Sequence, residues 1–180
     1  MIASSIFLIL GLVAMQLVWA FTDFVSPLQR VRTIDPLRTG LIYGTALLQW
    51  VSHFYFPMPP TLIVVALMPI GLIIFTAGIV LCIWAKLTMR DSWGIPAQHD
   101  IKRQSTLITS GPYRFTRNPI YVGLFMVVFG QALALGSWLF FLVYLLYMYF
   151  GIAIKKEEQL LTKHFGKGYT EYAKRVPRYL

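Results

Sequence analysis

Five stretches of this chain, residues 2–22, 39–56, 61–85, 119–135 and 137–154, contain no Asp, Glu, Lys or Arg. A bilayer core of about 30 Å needs roughly 20 helical residues rising about 1.5 Å each, and every one of the five meets or approaches that length. Apolar residues make up 57% of the sequence and charged residues 13%. A water-soluble domain of 180 residues has too little interior to hide so much apolar surface, so lipid must cover it. The expectation is an all-α integral membrane protein with about five transmembrane helices. The third stretch is long and holds Pro69, which predicts a kink or a tilt. The last two are short and meet at Gly136 and Ser137, which predicts a tight hairpin.

The charged residues orient those helices. Of sixteen Lys and Arg, three lie in 23–38 (Arg30, Arg32 and Arg38), six in 86–117 and seven from Lys155 onward, and all seven acidic residues fall in the same three stretches. The connections Pro57-Met58-Pro59-Pro60 and Gly136-Ser137 carry no charge. Five crossings place every charged stretch on one face, and the positive-inside rule makes that face cytoplasmic. The amino terminus is then outside, and a carboxyl-terminal helix and tail lie in the cytoplasm. A first apolar run without a basic leader, and too long for a cleaved signal, predicts a retained span. The net charge is +9, but the aromatic residues sit inside apolar runs rather than among the basic ones. The expected partner of those cations is therefore an anionic lipid surface and no nucleic acid. Trp50, Tyr55 and Trp138 at span ends fit interfacial belts, and His53 reads as a neutral interfacial residue. Cys82 reads as a small core residue. His53, His99 and His164 fall in separate segments, so no metal site is expected.

Two cytoplasmic stretches hold more than lipid anchoring needs. The first runs from Leu107 to Gly123 as Leu-Ile-Thr-Ser-Gly-Pro-Tyr-Arg-Phe-Thr-Arg-Asn-Pro-Ile-Tyr-Val-Gly. Gly111-Pro112 predicts a turn, Pro119 suits the first turn of a helix, and Asn118 is placed as its N-cap. Arg117 is then set beside the helix start, where it meets a carboxylate or a lipid phosphate. The second stretch begins Lys155-Lys156-Glu157-Glu158 and continues through Phe165-Gly166, Tyr169, Tyr172 and Arg175-Val176-Pro177. The last span is expected to continue into the cytosol with Ile154, Leu161 and Phe165 along one face. Neighbouring helical residues diverge by about 100°, so Glu157 and Glu158 cannot share one environment, and one of them is expected to face a pocket. Gly166-Lys167-Gly168 follows no strand and is weak evidence of a nucleotide loop.

Taken together, the two stretches resemble the isoprenylcysteine carboxyl methyltransferase family and its phospholipid N-methyltransferase relatives. The resemblance covers about the carboxyl-terminal half; the earlier spans are similar only in hydropathy. It implies a single membrane methyltransferase domain over 1–180, with 1–85 as a three-span scaffold and 86–180 as cofactor-binding loop, helical hairpin and tail. It also implies S-adenosyl-L-methionine as cofactor, a lipophilic or membrane-bound methyl acceptor, and a site on the cytoplasmic side of the plasma, inner or endoplasmic reticulum membrane. Carried over residue by residue, the cofactor site is Leu107, Gly111, Tyr113, Arg117, Asn118, Pro119, Tyr121, Gly123, Glu157 and Glu158, with Arg117 and Arg175 as catalytic residues. A carboxylate from the glutamate pair suits the cofactor's ammonium and ribose hydroxyls, and Arg117 suits its carboxylate. The chain departs from the isoprenylcysteine branch at Asn118 and Ser105, where that branch has His. It departs from the eukaryotic members at Ile152-Ala153-Ile154, where those carry an Arg. Two other readings compete: a membrane sterol reductase using a reduced dinucleotide, which the adjacent acids disfavour, and a non-catalytic membrane subunit.

Overall fold

The computed structural model describes residues 2–22, 36–89 and 106–180. The sequence expectations that concern 23–35 and 90–105, His99 and Ser105 among them, lie outside those residues. The described residues form five long helices: α1 (Ile2–Phe21), α2 (Pro36–Tyr55), α3 (Leu62–Met89), α4 (Pro119–Leu135) and α5 (Leu142–Phe165). A short helix, α6 (Lys167–Arg175), follows, and 3-10 turns at Gly111–Arg114 and Trp138–Phe141 precede α4 and α5. No strand occurs among the described residues.

Among the described residues, three helical stretches are long and apolar enough to cross a bilayer: Ser4–Phe21, Leu62–Met89 and Trp138–Phe165. α4 is apolar but shorter, at 17 residues. Their outward residues, such as Leu10 and Leu17 on α1, Ile73 and Val80 on α3 and Leu145 and Ile152 on α5, are exposed. Water would not tolerate so large an apolar surface; lipid does. The chain is an integral membrane protein. α3 runs unbroken through Pro69 for 28 residues, about 42 Å at 1.5 Å per residue, which exceeds the hydrocarbon core and carries Met89 up to the site described below.

α3 and α4 pack more intimately than any other pair, and glycine is the reason. Gly71 and Gly78 on α3 face Gly130 and Gly123 on α4 in antiparallel register, seven residues apart on each helix. A Cβ on Gly78 would lie 2.7 Å from the Gly123 carbonyl oxygen and 2.8 Å from the Val127 nitrogen. One on Gly71 or Gly130 would run into the backbone of the opposite helix. Backbones in lipid approach this closely only where side chains are absent. Phe75, fully buried between the two glycines of α3, reaches α1, where Gly11 leaves room for its ring and Leu8 and Met15 are also buried.

α2 joins the bundle differently. Its buried face is polar: Thr45, Gln49, Ser52 and His53. Gln131 of α4 donates through Nε2 to the Ala46 carbonyl (3.0 Å) and to Gln49 Oε1 (3.1 Å). His53 is buried, and its Nδ1–H donates to the Leu135 carbonyl at 2.6 Å and so satisfies the end of α4. Gly136, at φ 56°, then reverses the chain. Its N–H bonds the Leu133 carbonyl and that of Ser137 the Ala132 carbonyl, the Schellman pattern. The hairpin that follows is looser than expected, since α4 gives its close face to α3 rather than α5. A Cβ on Gly136 would lie 3.1 Å from Val64 Cγ1 and 4.0 Å from Met58 Cβ, so the two uncharged connections sit together at one end.

Candidate functional site

Residues 106–118 gather at the opposite end, where α3 finishes, α4 begins and α5 leaves the bundle. Gly111 takes φ 57°, and a Cβ there would meet Thr88 Oγ1 of α3 at 2.6 Å, so only glycine turns the chain this close to that helix. Pro112 starts the 3-10 turn with φ already set, and Tyr113 is buried beneath it. α5 runs on to Phe165, and Gly166, at φ 56° and ψ −124°, swings the chain into α6. That backbone conformation suits glycine, which gives the Gly166-Lys167-Gly168 stretch a structural role as a hinge.

α6 lays Tyr169 and Tyr172 against the turn, and the Tyr172 hydroxyl donates to the Tyr113 carbonyl at 2.7 Å. Beyond α6 the tail returns across the start of α4. The Arg117 N–H donates to the Pro177 carbonyl (2.9 Å), while Thr116 Oγ1 (2.9 Å) and Asn118 Nδ2 (3.1 Å) donate to the Arg178 carbonyl. Asn118 does occupy the N-cap position, but its side chain makes no cap bond. Its amide is committed to the tail, and Pro119 at the first helical position brings no N–H to cap.

The two adjacent glutamates part as helical geometry requires. Glu157 faces the interior, where its Oε2 accepts from the Tyr121 hydroxyl at 3.0 Å. Glu158 faces the tail. The Arg178 guanidinium grips it twice, Nε to Oε1 at 3.1 Å and Nη2 to Oε2 at 2.5 Å, and Arg117 Nη2 reaches Oε1 at 3.2 Å. Arg117 is nearly buried, and its Nε finds no hydrogen-bond partner among the described residues. The electrostatics follow from this layout. Burial, then the Glu157 charge, holds the Tyr113 phenol well above its ordinary pKa. Burial and the Glu158 carboxylate raise that of Tyr169, against the opposing pull of Arg117. Burial lifts Tyr172 to about 12, again opposed by Arg117. All three are neutral phenols at physiological pH. The hydrogen bonds to Glu158 stabilise the charge on Arg178.

Between these elements lies an open cleft of about 70 Å³. Of the residues expected from sequence, Leu107, Tyr113, Arg117, Asn118, Pro119, Tyr121 and Glu157 line it together. Gly111 stands behind the cleft as the turn. Gly123 belongs to the α3–α4 seam, where a Cβ would lie 2.5 Å from Cys82 Sγ. Glu158 is set behind Arg117. Arg175 is exposed on α6, is not part of the lining, and turns its Nε toward the Glu171 carbonyl of its own helix (3.4 Å). The arginine at the site from that end of the chain is Arg178. Met89, Ile108, Ile120, Leu161, Tyr169 and Tyr172 complete the lining. A cleft lined by an arginine and a carboxylate among neutral phenols suits a zwitterionic ligand.

The sequence profile of the phospholipid methyltransferase family matches residues 66–168, more than half of the chain. The chain belongs to that family. The matched span holds the glycine seam, the 106–118 turn and both glutamates; α6 lies almost wholly beyond it. Several curated relatives share the name protein-S-isoprenylcysteine O-methyltransferase. That of Xenopus laevis is 37% identical over 110 residues, 60% of this chain and 38% of the relative. That of Schizosaccharomyces pombe is 37% identical over 73 residues, covering 39% and 31%. The human protein is 33% identical over 109 residues, covering 59% and 38%. This phospholipid methyltransferase family member thus aligns with well under half the length of those relatives.

Proposed function

We propose that the protein is an S-adenosylmethionine-dependent methyltransferase acting on a lipophilic acceptor at the cytoplasmic face of the membrane. The observation that carries this reading is the pairing of Arg117 with the Glu157 carboxylate in the lining of one cleft. S-Adenosylmethionine supplies an electrophilic methyl group on its sulfonium, and its amino-acid end carries one carboxylate and one ammonium. Arg117 suits the first and Glu157 the second, each through a charge-assisted hydrogen bond. Tyr113, Tyr121, Tyr169 and Tyr172 give that end a wall without competing charge. A cleft of about 70 Å³ is smaller than the roughly 150 Å³ that admits benzene, so it takes the amino-acid end and leaves the rest of the cofactor beyond its mouth.

Methyl transfer is an in-line displacement, so the residues' task is alignment and exclusion of water. The acceptor, a carboxylate, amine or thiol on a lipid-soluble molecule, approaches from the bilayer beside α4 and α5. The names of the relatives favour a prenylated carboxylate; Asn118 in place of the His of that branch leaves the acceptor class open to assay. In the same reading the chain is one domain, with 1–85 as scaffold and 86–180 carrying the site, and α2 and α4 cross the bilayer too. Five crossings then put the amino terminus outside and every charged stretch inside. The neighbouring uncharged connections at the far end support that arrangement.

One assay tests both reaction and orientation. Sealed, right-side-out vesicles containing the protein should transfer no label from external methyl-labelled S-adenosylmethionine, because the charged cofactor does not cross the bilayer. After permeabilisation, label should pass into organic-extractable material; base-labile label marks a methyl ester, base-stable label an amine or thiol product. Transfer by the sealed vesicles would overturn the orientation, and none after permeabilisation, with the membranes' own lipids present, would count against the reaction.

A further inference from the structure

The functional reading assigns the amino-acid end of the cofactor to Arg117 and Glu157 but leaves unexplained what fixes Arg117. A long arginine side chain keeps one pose for a ligand only where supporting contacts lock its guanidinium. Among the described residues, the ionic contact of Arg117 is to Glu158 Oε1, at 3.2 Å, and that oxygen also accepts from Arg178 Nε. Glu158 is itself held by the Arg178 fork across both oxygens. The guanidinium of Arg178 therefore orients the carboxylate that orients Arg117.

We propose that Arg178 is a positioning residue for the cofactor, acting through Glu158 to fix the guanidinium of Arg117 where that arginine meets the ligand's carboxylate. This rests on the functional reading above. Arg178 is well suited to the role because its backbone and side chain are anchored separately. Thr116, Asn118 and the Arg117 N–H hold the tail by the carbonyls of Pro177 and Arg178, and none of those bonds uses the guanidinium. Loss of the side chain should leave the tail docked and loosen only the relay. Glu158 is then a link in that relay rather than a direct ligand of the cofactor, and the divergence of the glutamate pair is functional: one carboxylate for the ligand, one for the arginines.

The test is calorimetric titration of the full chain in detergent with S-adenosylmethionine, followed by donor kinetics. Arg178→Ala should weaken binding by about tenfold, the lower end of what one charge-assisted hydrogen bond contributes. It should raise KM for the donor while kcat at saturating donor stays near the parent value. Arg178→Lys should recover part of the affinity, since it restores the charge without the fork. In a Glu158→Gln background, Arg178→Ala should add little, because the relay is already cut. Lys174→Ala, which removes a neighbouring charge on α6, should bind like the parent. Parent-like binding by Arg178→Ala while Glu157→Gln binds weakly would overturn the relay and leave the functional reading standing. Independent, multiplying losses in the double variant would overturn it too, even if Arg178→Ala were also less stable. No binding by the parent would instead sink the functional reading.

Discussion

The membrane-embedded seam of α3 and α4 and the cap built from residues 106–118, α6 and the tail are both tightly packed, but by opposite means. The seam is held by what is missing: four glycines let two backbones touch, and the weak bond from Cys82 Sγ to the Ile120 carbonyl (3.7 Å) adds little to that contact. The cap is held by named polar contacts, each with one donor and one acceptor, around a pair of arginines and a glutamate. In lipid, apolar contact between helices brings no hydrophobic gain, so close van der Waals approach decides stability. At the water-facing end, hydrogen bonds and charge decide it, and there the same groups can be turned to ligand binding. The difference predicts that damage to the seam removes the protein, whereas damage to the cap changes what it does.

The largest effect should come from filling the seam. Gly130→Leu forces a side chain into the backbone of Gly71 and Phe75, and overpacking against backbone that cannot yield should destabilise by about 3 kcal/mol or more. Gly151→Leu on α5, where a Cβ meets nothing within 4 Å, should melt near the parent temperature. Thermal unfolding of both variants in detergent measures the contrast; equal melting temperatures would break the comparison at its stronger end.

A smaller effect distinguishes the cap. The Tyr172 phenol titrates near 10 when unfolded and at about 12 when docked on the Tyr113 carbonyl. A group whose folded pKa is raised gives stability that is complete below its unfolded pKa and lost as pH climbs through the folded one. Cap docking should therefore weaken between about pH 10 and 12. Tyr172→Phe should be less stable at neutral pH by roughly 1 kcal/mol, the worth of one hydrogen bond, and should lose that alkaline dependence. Hydrogen exchange of α6 across the pH range reads both; an identical alkaline profile in the variant would assign the transition to other groups.

The same contrast explains how far the sequence could be read. Hydropathy located all five long helices, because burying or lipidating apolar surface leaves its mark on composition. It could not reveal the seam: glycines seven apart on two helices carry meaning only once the helices are set side by side, and they add almost nothing to hydropathy. Gly123, expected at the cofactor, belongs to that seam for this reason. The partner of His53 was equally hidden: a lone histidine carries no sign of it, and the Leu135 carbonyl it serves lies 82 residues away. In the cap, the helical divergence of Glu157 and Glu158 was legible, but which one faces inward depends on how α5 is rotated. Arg175 and Arg178 look alike in a string. α6 ends at Arg175, and only the returning tail brings Arg178 to Glu158, a contact set by tertiary hydrogen bonds to Thr116 and Asn118. Asn118 read as an N-cap and holds that position, but local rules could not see the tail that takes its amide.

The central claim, that this cleft receives the amino-acid end of S-adenosylmethionine, is tested most directly by titrating the cofactor into the purified parent and into Glu157→Gln. A charge-assisted hydrogen bond in a partly dry site contributes roughly 1.5–3 kcal/mol. The parent should therefore bind, and Glu157→Gln should bind about ten- to hundred-fold more weakly, with an unliganded melting temperature close to the parent's. Equal affinity in the two proteins would contradict the account and reduce Glu157 to a structural partner of Tyr121.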